Sequence, residues 1–257
     1  MTDLPEPSSR GVALITGGGR RIGKAIAIAV GEAGFDVAIH HRGRADEAQE
    51  VVQSLHALGR KATAFSADLA IEAEVQALVP SVTAALGPVT LLINNASLFE
   101  DDRIETQTRA TWDAHMETNL RAPIVLAQAM AAALPEDAEG LILNLLDQRV
   151  LKLNPLFFSY TLSKAALWQA TKTLAQALAP RIRVNGIGPG PTLPSIHQAA
   201  GEFEAEAANT LLQRRADPSQ IAQAVRYLID ARSVTGQMIA IDGGQHLAWR
   251  TPDILGD

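Results

Sequence analysis

The chain has 257 residues, 47% of them hydrophobic, with 19 glycines, no cysteine and a formal net charge of −6. That length suits one generously sized α/β domain with much of its surface buried; the missing cysteine excludes disulfides and thiolate metal sites, and the acidic balance gives nucleic acid no electrostatic footprint. The opening MTDLPEPSSR carries acids and prolines instead of a basic, then apolar, signal pattern, and no apolar run reaches membrane-spanning length, so a soluble cytoplasmic protein is expected.

Short apolar runs alternate with amphipathic stretches along the chain. GVALITG (11–17) predicts a strand and 22–34 a helix ending at Gly34. A second strand covers 35–41, followed by a charged, alanine-rich helix over 45–58. KATAFSADL (61–69) reads as strand then turn, 71–86 as a helix closed by Gly-Pro, and VTLLINNA (89–96) as the fourth strand. A long helical region over 108–134 precedes the strand 140–146; a helix over 157–178 precedes the strand 182–188. The stretch 188–215 is irregular with some helical material, as for a lid over a site. A helix over 218–230, with Asp217 or Ser219 as its cap, and a strand over 236–242 complete the pattern.

Almost wholly apolar strands separated by helices imply a parallel sheet covered on both faces. Seven such strands predict a single doubly wound, Rossmann-type α/β domain spanning 1–257, with ligands beyond the carboxyl ends of the strands.

TGGGRRIG (16–23) lies between the first strand and first helix, where unpaired amides and the helix dipole favour an anion. That placement makes it a dinucleotide loop and not a plain turn, although Arg21 stands where a glycine is expected. The end of the second strand distinguishes the cofactors: an acid there suits NAD, cations suit the extra phosphate of NADP. The run here is His40, His41, Arg42, Gly43, Arg44, with no acid before Asp46, and Arg20 can converge on the same spot. NADP(H) is therefore expected, with Arg42 or Arg44 at its phosphate.

In SYTLSKAAL, Tyr160 and Lys164 lie one helical turn apart and face the same way. A phenol titrates near ~10, and a nearby ammonium favours its ionised form, which suits acid–base work.

With these residues in place, the chain resembles the short-chain dehydrogenase/reductase family over nearly its whole length. The matching pieces are the Thr16–Gly17…Gly23 loop, Asp68–Leu69, NNAS (94–97), Asn119, Tyr160 with Lys164, RVNGIGPG (183–190) and DGG (242–244). The resemblance implies that Asp68 and Leu69 frame the adenine and that Asn94 supports the central strands. It also implies that Lys164 holds the nicotinamide ribose, that Pro189, Gly190 and Thr192 line the nicotinamide side, and that Asn119 anchors a water in a proton relay. Ile22, His40, Asn95, Ala96 and Ser97 join the expected cofactor contacts.

The family usually carries a serine thirteen residues before the tyrosine; this chain has Asp147 there. A hydroxyl donates and accepts, whereas an ionised carboxylate only accepts and repels a ketone oxygen gaining negative charge. Asp147 suits a substrate with N–H donors, or one needing a proton on nitrogen. Together with Arg21, Ser97 and Phe99, it resembles the pteridine reductase branch. There the arginine contacts cofactor phosphates and pterin, the phenylalanine stacks the pterin on the nicotinamide, and aspartate and tyrosine organise proton delivery.

The expected reaction is NADPH-dependent reduction of a 7,8-dihydropterin, dihydrofolate included. Tyr160, Lys164, Asp147 and Asn119 form the catalytic set, and Arg21, Ser97, Phe99, Asp147, Tyr160 and Leu193 the substrate contacts. The alternatives are an ordinary carbonyl or 3-oxoacyl-thioester reductase and a catalytically silent NADP-binding sensor. No metal, nucleic acid or membrane partner is expected. The resemblance further implies a homotetramer packed through the helices at 108–134 and 157–178, with Trp249 or Arg250 reaching a neighbour's site.

Overall fold

The computed structural model describes residues 9–194 and 201–251. Parts of the opening stretch, of the 188–215 segment and of the carboxyl-terminal tail lie outside the described residues. The seven expected strands are β1 (Val12–Ile15), β2 (Asp36–His41), β3 (Ala62–Ser66), β4 (Val89–Asn94), β5 (Gly140–Leu145), β6 (Ile182–Pro189) and β7 (Met238–Ile241). They form one all-parallel sheet in the order β3-β2-β1-β4-β5-β6-β7.

Alternate strand residues serve opposite faces. Ala13, Ile15, Leu91, Ile93, Leu141 and Leu143 pack on one side with residues of α1 (Arg21–Glu32), α2 (Ala45–Ala57) and α8 (Pro218–Asp230). Val12, Leu14, Leu92 and Ile142 pack on the other with α3 (Glu72–Leu86) and α5 (Ala122–Ala133). Both faces are dry, which is why the strand sequences read as apolar runs without polar alternation.

The remaining helices are α4 (Arg109–Met116), α6 (Phe158–Leu178) and α7 (Glu202–Ala208). Asp217 is the cap of α8: its carboxylate accepts from Ser219 N–H at 2.9 Å, and the Gln220 side chain accepts in return from the Asp217 amide.

Three elements differ from expectation for reasons that concern the site. β1 and β4 stop at Ile15 and Asn94 because the chain leaves the ladder there. The amides of Asn95 and Ala96 instead reach the Thr16 hydroxyl, each at 3.0 Å. The long helical region at 108–134 is interrupted by a π turn, Glu117–Arg121, between α4 and α5. The wider turn coincides with buried Asn119, whose side chain is drawn sideways to Leu98. Strand order reverses at β1, whose neighbours are β2 and β4, and that switch point opens the crevice.

Candidate active site

A cleft of about 460 Å³ sits over the carboxyl ends of β1, β2 and β4. Gly17, Arg20, Arg21, Ile22, Gly23, His40, Arg42, Arg44, Asp68, Leu69, Asn95, Ala96 and Ser97 all line it. The loop is braced from behind. Thr16 Oγ1 accepts the two amides of the β4 exit, and Asn95 Nδ2 donates to the carbonyls of Thr16 (2.9 Å) and Gly17 (3.1 Å). A Cβ on Gly23 would run into the Gly17 carbonyl and the Asn95 amide, so only glycine lets α1 start this close to the loop. Among the described residues no side chain caps α1 and no acid lies in its first turn, which leaves its amides to an anionic ligand. These donors and the surrounding arginines fit a dinucleotide pyrophosphate.

Arg21 has φ +51°, the left-handed backbone that a glycine would adopt without strain. The loop therefore keeps its turn geometry while carrying a long cation, at a cost of order 1–2 kcal/mol. Its guanidinium crosses the cleft and donates to the carbonyls of Leu193 (3.3 Å) and Pro194 (3.0 Å). The nucleotide loop is thus tied to the segment that follows β6.

His40, expected among the cofactor contacts, lies beneath the loop. Its Nδ1 accepts from Gly17 N–H at 3.1 Å and its Nε2 pairs with the Ala67 carbonyl at 3.0 Å. One nitrogen accepts and the other donates, so the buried ring is neutral; burial pushes its pKa down. It holds the loop from beneath. Beside Arg21, three exposed arginines line this corner and each faces an acid: Arg42 lies 3.8 Å from Asp68, while Arg44 and Arg20 lie 2.9 and 3.9 Å from Glu47.

The groups expected to handle the proton converge from just beyond the end of β5 and from α6. Tyr160 Oη donates to Asp147 Oδ2 at 2.8 Å, and Asp147 Oδ1 accepts from Arg149 N–H at 2.8 Å. Lys164, fully buried one turn along α6, donates to the Leu145 carbonyl at 2.7 Å, with Nζ 5.9 Å from the Tyr160 ring centre. The expectation that the ammonium draws the phenol towards its anion is not met. Burial, and then Asp147, hold the Tyr160 pKa well above its usual value, so the phenol keeps its proton. Burial also raises Asp147 and lowers Lys164 to about 8.

Asn119 does not spare its side chain for a water. Its Oδ1 accepts from Leu98 N–H (2.8 Å) and the Ser97 hydroxyl (3.2 Å), and its Nδ2 donates to the Leu98 carbonyl (2.9 Å) and Ser163 Oγ (3.1 Å). It clamps the loop that carries Phe99. Two further residues help to hold that loop. His115 Nε2 accepts from Glu100 N–H at 3.2 Å, and Asp102 Oδ1 accepts from Ser159 N–H at 2.9 Å. So held, Phe99 stacks on Phe157 (centroids 4.1 Å apart, 11° between planes) and meets Tyr160 edge-on at 4.7 Å.

Pro189, Gly190 and Thr192 lie at and just beyond the end of β6, and Thr192 Oγ1 donates to the Gly190 carbonyl at 3.0 Å. A Cβ on Gly190 would press on Asp242, which explains the pairing of that glycine with the Asp-Gly-Gly turn. Asn94 meets its expectation as a strand support: its amide donates to Asn144 Oδ1 at 2.8 Å, and Asn144 donates to Thr171 Oγ1 at 2.9 Å.

Sequence reasoning missed Thr16 as a brace, Glu47, Phe157, His115 and Asp102. Glu47 is masked by helix periodicity, since acids in a first turn are ordinary. Phe157 carries the one legible signal, an aromatic three residues before the tyrosine; its φ of +53° and the Arg149 guanidinium 5.1 Å over its ring emerge only in the fold.

The sequence profile of short chain dehydrogenases matches residues 11–205. The 3-oxoacyl-acyl-carrier-protein reductase FabG of Staphylococcus epidermidis is 31% identical over 240 residues, 91% of this chain and 98% of that protein. Among solved structures, FolM alternative dihydrofolate reductase 1 from Brucella canis, complexed with NADP, is 51% identical, with a TM-score of 0.90 over 96% of this chain and 98% of that one. Its Brucella suis counterpart, also with NADP, is 52% identical with a TM-score of 0.92, covering 95% and 98%.

Proposed function

This chain belongs to the short-chain dehydrogenase family and is an NADP-dependent oxidoreductase, and on that footing we propose that it reduces a dihydropterin, dihydrofolate among the candidates, to the tetrahydro form. The observation that carries the reading is the 2.8 Å bond between Tyr160 and Asp147. The catalytic phenol is partnered by a carboxylate where a ketone reductase needs a hydroxyl donor. Similarity to the two FolM alternative dihydrofolate reductases supports the same reading.

When bound, the reduced nicotinamide supplies a hydride to the carbon of the substrate's C=N bond. The protein has to align that bond and deliver one proton to its nitrogen. Tyr160 and Asp147 hold that proton between them: burial keeps the phenol protonated and makes the carboxylate a better proton acceptor than in water. As negative charge develops on the ring nitrogen, the proton passes to it, directly or through a water, and the pair is recharged from solvent. Asp147 also accepts from the N–H groups along the pterin edge, a role a serine fills less well.

Lys164 keeps two ammonium hydrogens beyond its bond to Leu145 for the nicotinamide ribose. Phe99 stacks on the pterin ring. Arg21 exchanges its Leu193 and Pro194 carbonyls for cofactor phosphate and pterin, and Ser97 and Leu193 complete the substrate contacts. A homotetramer in the cytoplasm, with Trp249 or Arg250 near a neighbour's site, belongs to the same proposal; light scattering of the full chain tests the assembly.

A second reading, 3-oxoacyl-thioester reduction, is favoured by the FabG similarity. One experiment separates them: NADPH oxidation measured with dihydrobiopterin, dihydromonapterin, dihydrofolate, a 3-oxoacyl thioester and simple ketones. Turnover of the pterins well above that of the carbonyl compounds is expected. Preference for the thioester overturns the pterin assignment, and NADPH binding without any oxidation points to a sensor.

A further inference from the structure

The basic run after β2 suggests a corner of uncompensated positive charge, but the fold brings two acids into it. Glu47, on the first turn of α2, joins two arginines that are 24 positions apart in the chain. Its Oε1 accepts from Arg44 at 2.9 Å, and its Oε2 lies 3.9 Å from Arg20 Nε. All three residues line the nucleotide cleft. The second pair, Arg42 with Asp68, differs: Asp68 Oδ1 also accepts from Ala70 N–H at 2.9 Å, so that carboxylate is engaged in its own turn. Glu47 Oε2 is buried and accepts no hydrogen bond from the described residues. An anionic oxygen in that condition is held only by the guanidiniums around it, and it is poorly compensated for leaving water.

We propose that Glu47 is a specificity-determining residue of the NADP site, an internal counter-ion that occupies Arg20 and Arg44 until the cofactor's 2′-phosphate displaces it. A phosphate monoester carries close to two negative charges and three acceptor oxygens, against one charge and two oxygens for the carboxylate. The exchange is therefore favourable, yet part of the attraction is offset by the like charge that stays nearby. For NADH there is no phosphate, and Glu47 keeps its arginines. The carboxylate thus narrows the preference for NADPH below what three arginines alone would impose. The inference rests on cofactor use and is independent of which substrate is reduced.

The test is Glu47→Gln, which retains shape and an acceptor for Arg44 while removing the charge. Dissociation constants are measured for NADPH, NADH, adenosine 2′,5′-bisphosphate and 5′-AMP in the full chain. NADPH and the bisphosphate should bind roughly three- to ten-fold tighter in the variant, the range for a half-exposed charge pair. NADH and 5′-AMP should change less than about two-fold, and the gain should shrink in high salt as the charges are screened. The gain should also shrink when Arg44→Ala is introduced first, because the coupling runs through that pair. An unchanged NADPH constant, an equal shift for all four ligands, or weaker NADPH binding overturns the proposal; the last would make Glu47 an organiser of the arginines and not their competitor.

Discussion

At the scale of single residues, two positions depart from the family pattern and carry the proposed chemistry. Asp147 stands where the family has a serine, and its carboxylate is bonded to Tyr160 at 2.8 Å. Asp147→Ser should lower pterin turnover by roughly 10²-fold or more, the usual worth of a positioned acid–base group, and leave the NADPH dissociation constant within about two-fold. Stopped-flow hydride transfer and NADPH fluorescence titration measure the two; unchanged turnover removes Asp147 from the mechanism. Arg21 is the other departure. Its left-handed φ of +51° is one a glycine adopts without strain, and its guanidinium reaches the carbonyls of Leu193 and Pro194. Arg21→Gly should relieve that strain, weaken NADPH binding less than pterin binding, and raise the pterin KM by at least about tenfold, as expected when a charge-assisted pair is lost. Retained pterin affinity would reduce the arginine to an accident of the loop.

At the scale of elements, the site is made where regular structure gives way. β1 and β4 end early so that Thr16, Asn95 and Ala96 can bond to each other, and α1 begins against that brace. Gly23→Ala places a methyl against the Gly17 carbonyl, which is backbone and cannot swing aside. A stability loss of about 1–3 kcal/mol and a NADPH dissociation constant raised more than about tenfold are expected, read by chemical denaturation and fluorescence titration. Wild-type affinity in that variant would mean that the loop is pliant. The π turn at Glu117–Arg121 belongs to the same logic: it interrupts the long helix at Asn119, the residue that holds Leu98 and, through it, Phe99.

At the scale of the whole molecule, burial sets how the enzyme responds to pH. Lys164 is buried where α6 meets β5, with its pKa lowered from the ordinary 10.5 to about 8 by burial. Its ammonium is present below that value, so hydride-transfer rates should fall as pH rises through about 8. Stability should move the other way. Between about 8 and 10.5 the unfolded chain binds the proton that the folded chain has released, so the Lys164 contribution to unfolding free energy rises with pH across that window. Lys164→Met should remove both trends in pH-dependent turnover and denaturation. A rate profile flat through pH 8 in the wild-type protein would rule out the ammonium as a participant.

The sequence alone determined the doubly wound sheet, because apolar runs of strand length separated by amphipathic helices can be dried on both faces in only a few ways. It also determined the dinucleotide loop, the Tyr160–Lys164 pair and the absent serine, since each is a local pattern or a fixed spacing. The tertiary structure decided what those groups do to one another. It bonded Tyr160 to Asp147 and kept the phenol neutral, neutralised His40 beneath the loop, spent the Asn119 amide on Leu98, and carried Glu47 into the arginine corner. These outcomes depend on burial and on contacts between residues distant in the chain. Periodicity records which face of an element is dry, but not which polar atom from elsewhere will meet it there.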